Sequence, residues 1–110
     1  MGPVFKIAFT VPESYSEKLM NTINKVITPF FPGYERTYCI TKVTGTWIPL
    51  KGSHPFNGTI GEIKVADELK IEFMVHKKDL KNVLRTIKDL HPYEEPVVDV
   101  IPCLNWKSLL

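Results

Sequence analysis

Hydrophobic and polar positions alternate from the start of the chain. Phe5, Ile7, Phe9 and Val11 fall on one side of an extended segment and Lys6, Ala8 and Thr10 on the other, so Val4 to Val11 reads as a half-buried strand. Pro12 stops it, and Ser14-Tyr15-Ser16-Glu17 has the spacing of a capping box that starts a helix. The period then changes: Tyr15, Leu19, Met20, Ile23, Val26 and Ile27 form one apolar stripe at helical spacing, ended by Pro29, Pro32 and Gly33. A second strand is predicted from about Arg36 to Thr46. The segment from Trp47 to Asp67 is rich in turn residues, and within it only Glu62-Ile63-Lys64-Val65 has the makings of a short strand. Leu69, Ile71, Phe73 and Val75 alternate with Lys70, Glu72 and Met74, a clear strand. A second helix follows from about Lys78 to Leu90, with Leu80, Val83, Leu84, Ile87 and Leu90 on its stripe and Asp79 near its start, where a carboxylate suits the helix dipole. Pro92 ends it. Val97 to Cys103 is the last strand, at a sheet edge because Pro102 has no N–H to give a ladder.

The order β-α-β-β-α-β predicts an α+β, ferredoxin-like domain spanning residues 1–110: a four-stranded antiparallel sheet with both helices on one face. Its other face would carry Ala8, Thr10 and Met74 among Lys6, Lys70 and Glu72, a mixture suited to packing on another subunit.

Composition changes little. The chain has 110 residues, 44% of them hydrophobic and 24% charged, which is ordinary globular usage. A net charge of +2 with scattered basic residues gives no reason to expect nucleic-acid or membrane-surface binding. The start of the chain has no basic, apolar and cleavable sequence of a secretory signal, and Cys39 and Cys103 form no C-x-x-C pair, so a cytoplasmic protein with two inert thiols is expected.

Catalytic signatures are missing: no G-x-S-x-G, H-E-x-x-H, G-x-x-x-x-G-K or G-x-G-x-x-G occurs. His76, between a strand and a helix, reads as a turn residue. His54 lies in a turn before Pro55, and His91 in the last turn of the second helix. His91 with Glu94 and Glu95 puts one nitrogen and two carboxylates into a short turn, a corner open to a divalent metal; the plainer reading is that the two acids cap or solvate a loop. Phe30, Phe31, Tyr34, Trp47, Phe56, Tyr93 and Trp106 all fall off the helical stripes. They pack beneath the long loop or form an interaction surface.

Two phrases carry a resemblance: Gly45-Thr46-Trp47-Ile48-Pro49-Leu50-Lys51-Gly52-Ser53-His54-Pro55-Phe56-Asn57-Gly58 and His91-Pro92-Tyr93-Glu94-Glu95-Pro96. With Phe9-Thr10-Val11-Pro12-Glu13-Ser14 and Tyr34-Glu35-Arg36, they make nearly the whole chain resemble the YqfO (Nif-three-like) family, as a small stand-alone member. Larger relatives hold a two-metal site between two α/β halves, with a domain like this one inserted between them, and are often labelled GTP cyclohydrolase type 2 homologues. This chain matches the insert alone, so the resemblance implies neither the metal-ligand histidines nor the cyclohydrolase label. The insert is similar to CutA and PII proteins, which assemble as trimers. His54 stands where the family more commonly has Asn, which weakens any ligand role for it.

The resemblance therefore implies a non-enzymatic, homotrimeric module that binds a small molecule or protein partner; the alternative is a divalent-metal binder related to CutA. Candidate binding positions are His91, Tyr93, Glu94, Glu95, Gly52, His54, Phe56 and Gly58. Trp47, Phe56 and Met74 are expected at subunit interfaces, and no cofactor is expected beyond a metal held by His91, Glu94 and Glu95.

Overall fold

A computed structural model describes residues 3–110 of the chain. The elements are β1 (Val4–Val11), α1 (Glu13–Val26), β2 (Cys39–Trp47), β3 (Lys64–His76), α2 (Lys77–Leu90), β4 (Val98–Cys103) and a final 3₁₀ turn, Trp106–Leu109. The sheet is antiparallel in the order β2-β3-β1-β4, the ferredoxin-like arrangement. Cys39 and Cys103 consequently sit on its two opposite edge strands, both as free thiols.

The core lies where the alternation puts it. Ile7, Phe9 and Val11 of β1 and Leu69, Ile71, Phe73 and Val75 of β3 meet Leu19 and Ile23 of α1 and Val83 and Ile87 of α2. Phe9 and Phe73 meet edge to face at 6.5 Å, and Tyr38 packs on Phe73 at 5.2 Å while its hydroxyl donates to the Met20 carbonyl. Burial pushes the Tyr38 phenol up to about 12, partly offset by Arg36. The helices are tied at their ends as well: Asp79, in the first turn of α2, accepts the Thr28 N–H just beyond α1 at 2.9 Å.

Three expectations need correction. The capping box is not formed: the chain enters α1 directly from Pro12, Ser14 is exposed within the first turn, and it is Ser16 that bonds back to the Glu13 carbonyl. Residues 62–65 and 69–75 do not make two strands; Lys64–His76 is one strand of 13 residues, carried across Ala66-Asp67-Glu68 by the ladder to β2. The open sheet face is also less apolar than its residue types suggest. Lys6 pairs with Glu72 at 3.2 Å, Lys70 approaches the same carboxylate, and Ala8, flanked in register by Glu72 and Asp99, is buried.

The long β3 gives the molecule an arm. The β1 register ends at Val11↔Leu69, whereas β2 and β3 stay paired from Val43↔Glu68 to Trp47↔Lys64. That ribbon has no third strand. Principal extents of 51 × 26 × 24 Å and a radius of gyration of 15.6 Å, against about 13 Å for a compact domain of this length, reflect it. Among the described residues no helix is long and apolar enough to cross a membrane.

Candidate functional site

The two phrases singled out in the sequence meet at the root of the arm. Successive side chains of a strand point to opposite faces, so Val43, Gly45, Trp47, Lys64, Ala66 and Glu68 share the ribbon face that continues the open side of the sheet. The loop after Trp47 folds back over that face. Gly58, at φ +115°, lets it turn tightly against Pro49, Lys64 and the Trp47 indole; the indole N–H donates to the Asn57 carbonyl at 3.1 Å. Gly52, at φ +98°, turns the chain in the open and touches nothing that a Cβ would meet.

The turn after α2 closes the other side. Tyr93 packs on Trp47 at 5.4 Å, on Phe56 at 6.0 Å and on the His91 ring at 4.9 Å, and Phe56 meets Tyr15 of α1 edge to face at 5.6 Å. Glu94 accepts the His54 backbone N–H at 3.1 Å. An aromatic collar thus joins loop, turn, arm and α1.

At its centre lies Glu68, which the sequence reading did not single out. It is 6% exposed, and its Oε2 and the Tyr93 hydroxyl are both buried without a hydrogen-bond partner. Burial raises the Tyr93 phenol well above its ordinary range, and the neighbouring Glu68 carboxylate adds to the effect. Gly45 makes room for that carboxylate: a Cβ there would run into Glu68 Oε1 and its carboxyl carbon.

His91 is buried beside them. Its Nε2 lies 2.6 Å from the Thr10 carbonyl, which can only accept, so Nε2 carries the proton; its Nδ1 accepts the Tyr93 N–H at 3.1 Å. Burial holds the His91 pKa below the usual imidazole value, against the Thr10 hydrogen bond and the Glu68 charge, which both favour the imidazolium. Both ring nitrogens are engaged, Glu94 reaches to the His54 N–H, and Glu95 is exposed. The His91, Glu94 and Glu95 corner is therefore not assembled as a metal site, and among the described residues no group of three or more His, Cys, Asp or Glu side chains is placed to hold a metal ion. His76 ends β3 and precedes α2 with its ring on Phe30 at 4.7 Å. Met74 is half-buried beside Tyr38 and Asn24.

A second feature is an open cleft of about 330 Å³ where the arm leaves the body. Glu13, Lys42, Thr44, Asp67 and Leu69 line it, a mixed-charge wall that no sequence motif marked.

No family model matches the chain. It is 31% identical over 97 residues to the GTP cyclohydrolase 1 type 2 homolog of Staphylococcus epidermidis, covering 88% of this chain and 26% of that protein. The chain is a relative of the YqfO-like proteins. It spans about a quarter of the length of the curated relatives it matches. A Bacillus cereus protein related to NIF3 superposes with a TM-score of 0.79 at 23% identity, over 94% of this chain and 26% of the other. The fold is shared with CutA of Archaeoglobus fulgidus (TM-score 0.66, 15% identity, 93% of this chain and 85% of that one) and with GlnK of Bacillus subtilis (TM-score 0.64). The YqfO-like phrases are thus the two halves of one packed collar.

Proposed function

We propose that this YqfO-like domain is a non-enzymatic module that assembles into a homotrimer and binds a small ligand or partner in clefts at the roots of its arms. One observation carries the reading: most of the exposed apolar side chains lie in two separate regions, along the arm and along the β4 edge of the sheet. On the arm side Ile48, Leu50 (72% exposed), Ile60, Ile63 (70%) and Val65 face solvent. On the β4 side Val97, Val100, Ile101, Leu104 (78%) and Trp106 (62%) do so. Covering roughly 400 Å² of such surface is worth about 10 kcal/mol before the cost of association, which is of similar size. A patch that matched itself would favour a two-fold dimer. Two unlike regions on opposite edges favour head-to-tail contact, which makes a ring where the rotation between neighbours closes. Likeness to CutA and PII folds supports three as the number.

Each arm would then lie along a neighbour, with Phe56 and the arm cleft near the seam. Trp47 is already packed within its own chain, so its part in an interface is to hold the collar. Catalysis is not part of this reading, because His91 is spent on two structural hydrogen bonds and Glu68 is buried inside the collar.

Light scattering at micromolar concentration is expected to give three times the 12.6 kDa chain mass. A 12.6 kDa species would overturn the assembly. Thermal-shift screening with ATP, divalent cations and small anions tests the cleft. Stabilisation lost in Lys42→Ala or Asp67→Ala would locate a ligand there; a metal response unaffected by them would favour the divalent-metal alternative.

A further inference from the structure

Residue His91 joins three parts of the chain that are distant in sequence. Its imidazole bonds the Thr10 carbonyl at the end of β1, receives the Tyr93 N–H of its own turn, and packs at a tilt of 58° against the Tyr93 ring that holds Trp47 and Phe56. These two hydrogen bonds require opposite roles of the two nitrogens, so they coexist only in the neutral, Nε2-protonated ring. A second proton would go to Nδ1. That atom would then point an N–H at the Tyr93 N–H, two donors facing each other in a buried place.

We propose that His91 is an acid-released latch: its protonation frees the 91–96 turn and, through Tyr93, lifts the 49–63 loop from the arm and exposes Glu68. The loop has few other ties to this place. Glu94 to the His54 N–H, Trp47 to the Asn57 carbonyl, and the Phe56 contacts with Tyr93 and Tyr15 are the links seen, and two of these run through the 91–96 turn itself.

The groups facing His91 bear on the sign. From β1 it meets only an uncharged carbonyl. From its own turn it meets the Tyr93 phenol, neutral because burial raises its pKa. From β3 it meets Glu68, whose charge favours the imidazolium and opposes the latch. Burial outweighs it, and the net direction is toward a neutral ring. Release therefore belongs to mildly acidic solution.

The experiment is a pH series from 7.5 to 5.0 on the full chain, combining side-chain ¹⁵N spectra of the histidines with amide hydrogen exchange corrected for intrinsic rates. At pH 7.5 His91 should show the Nε2–H tautomer. Below about pH 6.5 the opening equilibrium of the 49–63 and 93–96 amides should rise by up to about tenfold per pH unit, the linkage of one proton, while amides of β1 and α2 remain protected. His91→Gln can still donate to Thr10 but does not titrate, so it should flatten the pH step. Glu68→Gln should retain it. Loop protection independent of pH, a step that survives in His91→Gln, a step lost in Glu68→Gln, or an Nδ1–H tautomer at pH 7.5 would each overturn the proposal. Should His91→Gln fail to fold, the wild-type tautomer and exchange data decide alone.

Discussion

Replacing Tyr93 with alanine removes the ring that touches Trp47, Phe56 and His91 at once. Truncating a fully buried large aromatic costs about 3–5 kcal/mol. Tyr93 is half-buried, so the expected loss is about 2–3 kcal/mol, with the three aromatic contacts supplying much of it at about 0.5–1.5 kcal/mol each. For a domain of this size that lowers the melting temperature by roughly 10–20 °C. Tyr93→Phe is the informative partner. The hydroxyl it deletes makes no well-formed hydrogen bond but lies against the buried Glu68 carboxylate, which favours the protonated phenol, so its loss should cost no more than about 1 kcal/mol. Urea titrations at pH 7.5, followed by far-ultraviolet circular dichroism and tryptophan fluorescence, measure both. Equal losses for Ala and Phe would mean that the hydroxyl, not the ring, holds the turn. An alanine variant within about 0.5 kcal/mol of wild type would mean that the collar does not pack as described.

Three further outcomes are expected. Gly45→Ala should destabilise by about 1 kcal/mol, because the new methyl displaces the Glu68 carboxylate, and a Glu68→Ala background should relieve the loss; additive effects in this double-mutant cycle would refute the contact. Glu94→Gln keeps an oxygen to accept the His54 N–H and Glu95→Gln changes an exposed side chain, so both should lie within about 0.5 kcal/mol of wild type, and a loss of micromolar metal binding in either would restore the metal corner. Because the folded pKa of His91 is lowered, the unfolded chain binds the extra proton first. Stability should then be full above about pH 6.5 and fall as the pH drops below it, a slope that denaturant midpoints at pH 7.5 and 5.5 would reveal or deny.

The body of the fold was legible because each core element keeps one period, and β1, α1 and α2 are each closed by a proline at or just past their ends. Strand β1 falls on the predicted residues, Val4–Val11, and α2 differs from expectation by one residue at its start. The arm was not legible. Residues 66–68 read as a polar gap between two strands, since a lone ribbon has no helix layer to impose alternation of apolar side chains, and its pairing comes from β2. Glu68 was hidden for a related reason. On a strand it occupies the side that faces solvent elsewhere in the sheet, and only the returning loop and the turn after α2 bury it. No local signal in Asp67-Glu68-Leu69 announces a cover supplied by residues 47–58 and 91–96. The two phrases themselves were visible as unusual strings; that they form one object depends on contacts between residues some 40 apart, such as Glu94 with His54.

This dependence links the collar to the proposed assembly. A two-stranded ribbon is marginal alone, and here one of its faces is held by the loop and by Tyr93, while the other, with Thr44, Thr46, Val65 and Asp67, is exposed. An arm that must lie along a neighbour gains affinity when its direction is fixed beforehand, since less freedom is lost on docking. Loosening the collar should then weaken association at concentrations where each subunit is still folded. Dilution series of Tyr93→Ala by light scattering, at a temperature where circular dichroism shows an intact domain, should give a dissociation midpoint shifted at least tenfold upward, with Tyr93→Phe near wild type. Unchanged association in a folded Tyr93→Ala protein would separate the two, leaving the collar as a local packing unit and the arm straight by its own twist and by Gly58.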